Sequence, residues 1–406
     1  MKSGIDSIKV VLLVLCSCLA MAGSALAAGP AGHWDIGLYG NLFGAREYQV
    51  WVPAGYDDQQ PLPLLLVLHG CVNGPNLMGE ASGFNDVADT EGFIVVYPRQ
   101  NVTSNPARCW NWQLPINQAR DSGEASILAG IVDKVKADYS VDPRRVYVTG
   151  ISAGGAMTSI MLACYSDVFA AGAIHSGGMF KGATTISGSA YALLAGSIYS
   201  PDSNGRLAWQ CSGSPSPRPL PVLVFHGSAD LTVNPVNGQQ AVRQFLQTND
   251  LADDGLDNDS VKYVPTSTYH GQVPAGRAYT VDTYAYGGRT LVQHYVVQDM
   301  GHAWSGSQSG LPFTDPKGPD ATLITWLFLK DYQRGGRPPP GPPGGRGTNL
   351  ALPLGGMAGR GKGGAPPRES PMVGAPRGPP PGPPPQGAPP PGGARKGGVP
   401  PQPENG

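Results

Sequence analysis

VYVTGISAGGAMTSIML, residues 146–162, changes character twice within one short stretch. It starts as a buried-strand run, passes through glycines around a single serine, and ends as an apolar helical pattern. Gly150-Ile151-Ser152-Ala153-Gly154 fits G-x-S-x-G, the turn that presents a serine between a strand and a helix. The glycines let the neighbouring strand and helix approach closely while the serine backbone is strained. In a chain with 58 glycines the pentapeptide alone is weak, and an ordinary turn serine is the competing explanation. A strand pattern directly before it and a helix pattern directly after it favour a nucleophile.

The same alternation extends outward. PLLLVLHG (63–70), GFIVVYPRQ (92–100) and PVLVFHG (221–227) are continuous apolar runs bounded by turn residues, as in strands covered on both faces. REYQVWVP (46–53) alternates as an early strand, FAAGAIHSG (169–177) gives another, and LVQHYVVQD (291–299) a late one. Between residues 121 and 138, Ile127, Ile131 and Val135 recur every four positions, with Asp121 or Ser122 available as N-cap. DATLITWLFLKDY (320–332) predicts a closing helix. Strand alternating with helix, without internal repeats, predicts an α/β fold with a mostly parallel central sheet and helices on both faces.

Not all 406 residues need belong to that fold. Residues 1–27 have the form of a secretion signal: Lys2 and Lys9, an apolar run, then Ala25-Leu26-Ala27 as cleavage site. A lipid-attachment reading at Cys16 or Cys18 is weaker, because the small-residue site lies further on. The domain expected next covers 28–333. From 334 to 406 the chain is dominated by proline and glycine and biased to Arg and Lys, so a disordered tail is expected. Its basic bias could attract acidic polymers, although a solvated tail or linker is the simpler reading. Removal of the signal leaves Cys71, Cys109, Cys164 and Cys211, an even number that suits an oxidising compartment. Sequential pairing, Cys71–Cys109 and Cys164–Cys211, is the expectation; buried free thiols are the alternative. The chain is expected to be secreted, extracellular or periplasmic, without a membrane span, and monomeric.

In a sheet of this kind functional groups gather on loops leaving the C-terminal strand ends. Here those loops are HGC, PRQ, GISAGG, HSGG, HGSAD and GHAWSG. A serine hydroxyl needs a base, and His302 after the last strand fits the order in which acid and histidine follow the nucleophile. Asp230, just past PVLVF, is the preferred acid, with Asp299 as runner-up. Two backbone donors should hold a developing oxyanion, and the N–H groups of Ala153 and Cys71 are the candidates. Trp304, Trp110 and Trp112 lie near these loops and could line an apolar acyl groove or pack beneath it. DDGLDNDS (253–260) lacks calcium-loop spacing, and no zinc or nucleotide pattern stands out, so no metal and no cofactor are expected.

LHGC (68–71), CWNW (109–112), VDPRRVYVTGISAGGAMT (141–158), DVFAAGA (167–173), HGSAD (226–230) and GHAWSG (301–306) together resemble the polyhydroxybutyrate (PHB) depolymerase family of the α/β-hydrolase superfamily. The resemblance implies Ser152 as nucleophile, Asp230 as acid, His302 as base, and Cys71 and Ala153 as oxyanion donors. It implies an esterase acting on a polyester or an oligomeric ester, with no nucleic-acid partner. Feruloyl and acetylxylan esterases share similar catalytic domains and remain the alternative. A non-catalytic envelope-binding protein on a hydrolase scaffold is more remote. Family members of this kind often carry a polymer-binding module after a linker, and here only the linker-like tail follows the catalytic motifs.

Overall fold

The protein is described by a computed structural model covering residues 31–213 and 218–335. The expected signal (1–27) and all but the first two residues of the expected tail lie outside the described residues. Ten strands form one sheet: β1 (His33–Asn41), β2 (Gly44–Val52), β3 (Leu62–Leu68), β4 (Ile94–Pro98), β5 (Val141–Ile151), β6 (Ala171–His175), β7 (Val222–Gly227), β8 (Ser267–Gln272), β9 (Ala278–Tyr286) and β10 (Arg289–Val297). Their spatial order is β1-β2-β4-β3-β5-β6-β7-β10-β9-β8. The six inner strands, β4 through β10 in that order, are mutually parallel, while β1 and β2 at one side and β9 and β8 at the other run antiparallel. The sheet is therefore parallel at its centre and mixed at its flanks. A two-stranded ladder, β11 (Trp304–Ser305) with β12 (Thr314–Asp315), stands apart from it.

The inner strands are apolar on both faces because both faces are covered. Leu64, Leu66 and Leu68 of β3 point into one core with Val146, Val148, Val222 and Val224; Leu65 and Val67 point into the other with Tyr147, Leu223 and Phe225. The first core is closed by α3 (Gly123–Asp138), α4 (Ala153–Cys164), α6 (Pro201–Cys211) and α7 (Val236–Asp254), with α5 (Ile186–Ala195) further out. The second is closed by α1 (Pro75–Ser82), α2 (Phe84–Glu91) and α8 (Ala321–Leu329). Ser122 stands at the N-cap of α3, but its side chain makes no cap bond. The Glu124 N–H is instead satisfied by Asn117 Oδ1 at 2.8 Å. Segment 253–260 does not float free: the buried Asp250 carboxylate accepts the N–H groups of Asn258 and Val261 and the Ser260 hydroxyl.

Arg334, placed at the start of the tail by composition, is docked on the domain. Its N–H donates to the Arg144 carbonyl at 2.9 Å, and its guanidinium bonds the Pro143 and Asp167 carbonyls. Among the described residues, no helix is long and apolar enough to cross a membrane.

Two disulfides are present, Cys71–Cys109 and Cys164–Cys211. The second joins the last residues of α4 and α6 across 47 positions of sequence. A cross-link over a loop of that length restricts the unfolded chain. Replacing both Cys164 and Cys211 by Ala is expected to lower unfolding free energy by about 2–4 kcal/mol. Urea titrations of the variant and the parent, read at equal pH, measure the difference.

Candidate active site

At the exit of β5 the chain turns directly into α4, and Ser152 occupies the corner with φ 60° and ψ −124°. A non-glycine residue in that region costs of order 1–3 kcal/mol and persists only where its surroundings impose it. The surroundings are backbone. Ser152 N–H donates to the His175 carbonyl of β6 at 3.0 Å, and Ala156 N–H returns to the Ser152 carbonyl at 2.9 Å. A Cβ on Gly154 would fall 2.2 Å from the Leu68 carbonyl oxygen, and one on Gly150 would fall 2.6 Å from the Gly154 oxygen. The two flanking glycines are thus required by contact with β3 and α4.

The loop after β3 lies against this corner: a Cβ built on Gly70 would sit 3.3 Å from Ser152 Cβ. Cys71 follows, tied by its disulfide to Cys109. Behind the loop His69 is fully buried, and both ring nitrogens are engaged. Nε2 accepts the Gln100 N–H at 3.1 Å, so Nδ1 carries the proton and donates to the Gly70 carbonyl at 2.7 Å. That bond fixes the Gly70–Cys71 peptide plane and with it the direction of the Cys71 N–H. Gln100 in turn donates to Glu124, which also pairs with Arg46 at 3.1 Å and accepts the Asn111 N–H at 2.7 Å. Arg46 and Glu124 are both buried, and the carboxylate's several donors offset its desolvation.

Two rungs away in the sheet, β7 and β10 deliver the carboxylate and the imidazole. Ser228 N–H donates to the Val297 carbonyl, and Ala229 N–H to the Met300 carbonyl, so the two exit loops are zipped together. His302 Nδ1–H then donates to Asp230 Oδ2 at 2.7 Å. Asp230 is buried, and its other oxygen accepts the N–H groups of Thr232 (2.9 Å) and Val233 (2.8 Å). Burial alone would raise its pKa; the nearby His226 N–H, the hydrogen bond and charge of His302 and the Val233 N–H overcome this and hold the carboxyl well below the usual range. With Nδ1 donating to a carboxylate, His302 Nε2 is the atom left to take a proton. Asp299, the alternative acid, is exposed and meets this cluster only through its backbone, donating to Ser228 Oγ.

His175 links these halves. Its carbonyl holds Ser152, its Nε2 accepts the Ser305 N–H at 3.3 Å, and its ring stacks between Trp304 (4.6 Å) and Phe225 (5.3 Å). The three tryptophans considered for an acyl groove are packed under the loops instead. Trp304 is 1% exposed, donates Nε1–H to Thr322 Oγ1, and abuts Phe84. Trp110 is fully buried against His69, and Trp112 is buried in the first core. The exposed large apolar side chains at the rim are different ones, and sequence reasoning did not single them out. Val72 follows Cys71, Leu231 follows Asp230, and Phe313 meets the His302 ring edge-on at 6.1 Å; they are 56%, 90% and 50% exposed. Among the described residues, no group of three or more His, Cys, Asp or Glu side chains could hold a metal ion.

The family model described as "Esterase PHB depolymerase" matches residues 46–259, just over half of the chain. The match takes in Cys71, Ser152, Ala153 and Asp230 and ends before His302. Poly(3-hydroxyalkanoate) depolymerase C of Paucimonas lemoignei is 36% identical over 252 residues, which cover 62% of this chain and 56% of that protein. Feruloyl esterase B of Neurospora crassa is 30% identical, covering 45% of this chain and 63% of its own. Acetylxylan esterase A of Emericella nidulans is 30% identical, covering 45% and 61%. The chain thus spans less than two thirds of each of these curated relatives. Among solved structures, the acetyl xylan esterase from Aspergillus awamori superposes with a TM-score of 0.55 at 21% identity, covering 67% of this chain and 94% of that one, a likeness of fold.

Three buried imidazoles give the domain a pH dependence of known sign. Burial pushes His69 and His294 down to about 4 and His175 down to about 3. In the unfolded chain each titrates near ~6.5. Between those values the unfolded state binds more protons, so stability is complete above ~6.5 and falls as pH drops toward ~4. The unfolding free energy from urea titration is expected to decline from pH 7 to pH 5, above the carboxylate range, by up to about 1.4 kcal/mol per pH unit per histidine. His294→Met should remove one histidine's share of that slope; an unchanged slope would refute the assignment.

Proposed function

The chain belongs to the esterase PHB depolymerase family, and from that premise we propose that it is a serine carboxylic-ester hydrolase working through an acyl-enzyme. The observation that carries this reading is the 2.7 Å His302–Asp230 pair, on zipped exit loops of the same sheet whose β5 ends in the strained Ser152 corner. In the proposed cycle His302 Nε2 takes the Ser152 Oγ proton as the oxygen attacks the ester carbonyl. The carbonyl electrons move to oxygen, where the N–H groups of Cys71 and Ala153 hold the anion. Collapse expels the alcohol, protonated by His302. Water, deprotonated by the same imidazole, then releases the acid and restores Ser152. The neutral His69 behind the Gly70–Cys71 peptide supports a donor aimed before the reaction starts.

For the substrate we propose a poly(3-hydroxyalkanoate) or its oligomers. The three exposed apolar side chains at the rim, one beside each of Cys71, Asp230 and His302, favour a neutral, apolar polyester. Next to them α5 carries exposed Ile186, Tyr191 and Leu194 and is joined to the acid loop where Asn234 N–H meets the Leu193 carbonyl at 2.7 Å. The second reading is an ester of plant cell-wall polysaccharide, supported by the feruloyl and acetylxylan esterases among the relatives. We place the chain outside the cytoplasm from its two disulfides and the form of residues 1–27. The domain limits 28–333 remain part of this proposal, extended to Arg334 by its bonds to the Pro143, Arg144 and Asp167 carbonyls.

Ser152→Ala is expected to abolish hydrolysis of p-nitrophenyl butyrate and labelling by a fluorophosphonate probe while leaving the melting temperature within a few degrees of the parent. Retained turnover would sink the assignment. Hydroxybutyrate released from polymer films, compared with acetate or ferulate released from xylan, separates the two substrate readings. Leu231→Ser combined with Phe313→Ser should cut film hydrolysis about tenfold and p-nitrophenyl butyrate hydrolysis by less than about twofold, since apolar contact is lost only where a polymer covers the rim. Equal losses on both substrates would count against the polyester.

A further inference from the structure

His302 approaches Asp230 from one side, and a second imidazole approaches from another. His226, near the end of β7, is completely buried in a strand that is otherwise apolar up to Gly227. Its Nε2 lies 2.8 Å from the Val233 carbonyl oxygen and 3.5 Å from Asp230 Oδ2. Both neighbours are acceptors, so Nε2 carries the proton. Nδ1 has no hydrogen-bond partner among the described residues and packs on α7, where a Cβ on Gly238 would fall 2.7 Å away. His175 on β6 and His294 on β10 complete its ionisable surroundings, with Asp230 and His302. An imidazole buried with one nitrogen unpaired is a costlier filler than a leucine, so packing does not explain it.

We propose that His226 is a positioning residue for Asp230: its Nε2–H is shared between the Val233 carbonyl and Asp230 Oδ2, closing the turn from β7 to Val233 around the carboxylate. The longer branch is an electrostatic contact more than a full hydrogen bond, but in a buried site such a contact is strengthened by the low dielectric. Together with the Thr232 and Val233 N–H groups it leaves the carboxylate one rotamer, with Oδ2 facing His302 Nδ1. The inference rests on the proposed triad.

The test compares His226→Gln, whose amide nitrogen can reach the place of Nε2, with His226→Asn and His226→Met, which supply no donor there. Loss of the donor is expected to lower kcat on p-nitrophenyl butyrate about ten- to a hundredfold with KM within about twofold. Gln should recover kcat to within about fivefold of the parent. With one donor gone from Oδ2, the carboxylate holds the His302 imidazolium more tightly, so the acid limb of kcat/KM moves to higher pH in Asn and Met but not in Gln. In an Asp230→Asn background, His226→Asn should cost little more, because the two act as a unit. Equal kcat and unshifted limbs in Gln and Asn would overturn the proposal. If the donorless variants do not fold, a Gln variant more than about a hundredfold slower than the parent also overturns it. A parent enzyme that no fluorophosphonate labels would instead bring down the triad, which keeps the two failures distinct.

Discussion

A single backbone hydrogen bond, from Ser152 N–H to the carbonyl of His175, holds the strained serine corner to the next strand of the sheet. Everything near it is arranged around that strain. The glycines on either side of the serine have no room for a Cβ, α4 starts without a side-chain cap, and the β3 exit loop is pressed against the corner. Other positive-φ residues cluster on the same rim: Val72, Ser176, Asp299 and Phe313. Strain of this kind is stable only because a deeply buried parallel sheet fixes both ends of each loop.

The histidines divide into two kinds. His69 and His175 are neutral fixtures whose ring nitrogens are already engaged, those of His69 by the Gly70 and Gln100 backbone and those of His175 by the Ser305 N–H and the Ser176 hydroxyl. His302 is different: its Nδ1 is committed to the Asp230 carboxylate, which leaves Nε2 for the proposed chemistry. The same residue type thus supplies both scaffold and proposed chemistry, and burial with hydrogen bonding separates the roles. Glu124 performs the corresponding service among the acids. It draws Arg46 of β2, Gln100 after β4 and Asn111 into one buried cluster, and Gln100 also donates to the carbonyl of Cys109, the disulfide partner of Cys71.

Much of this was legible in the sequence, and the exceptions have physical causes. The inner strands announce themselves as continuous apolar runs because both faces are buried, and the strand–glycine–serine–helix order marks the corner. The flanking strands are harder. β8 is STYHGQ, almost wholly exposed, and β1 carries glycines and leaves alternate side chains in solvent, so neither has an apolar period to detect. Ser152, Asp230 and His302 stand out by motif and chain order. Their supports do not, since a histidine at a strand end looks alike whether it is a base, a prop or a filler. The tryptophans stayed open between groove and packing for a related reason. Proximity in sequence to a catalytic loop does not say which way an indole points, and Trp304 turns inward because Thr322 on α8 accepts its N–H.

The order of the site residues along the chain carries a kinetic consequence. Cys71, Ser152, Asp230 and His302 come from four separate segments, the last two alone 72 positions apart. Between them they require β3, β5, β7 and β10 to be in register, and parallel strands can pair only after long crossovers have closed. Contacts so distant in sequence form slowly, because loop-closure entropy must be overcome before they stabilise anything. No half of the molecule can hold the rim together by itself. In refolding, the His302–Asp230 pair would therefore be among the last features to appear, and its formation would mark completion of the central sheet.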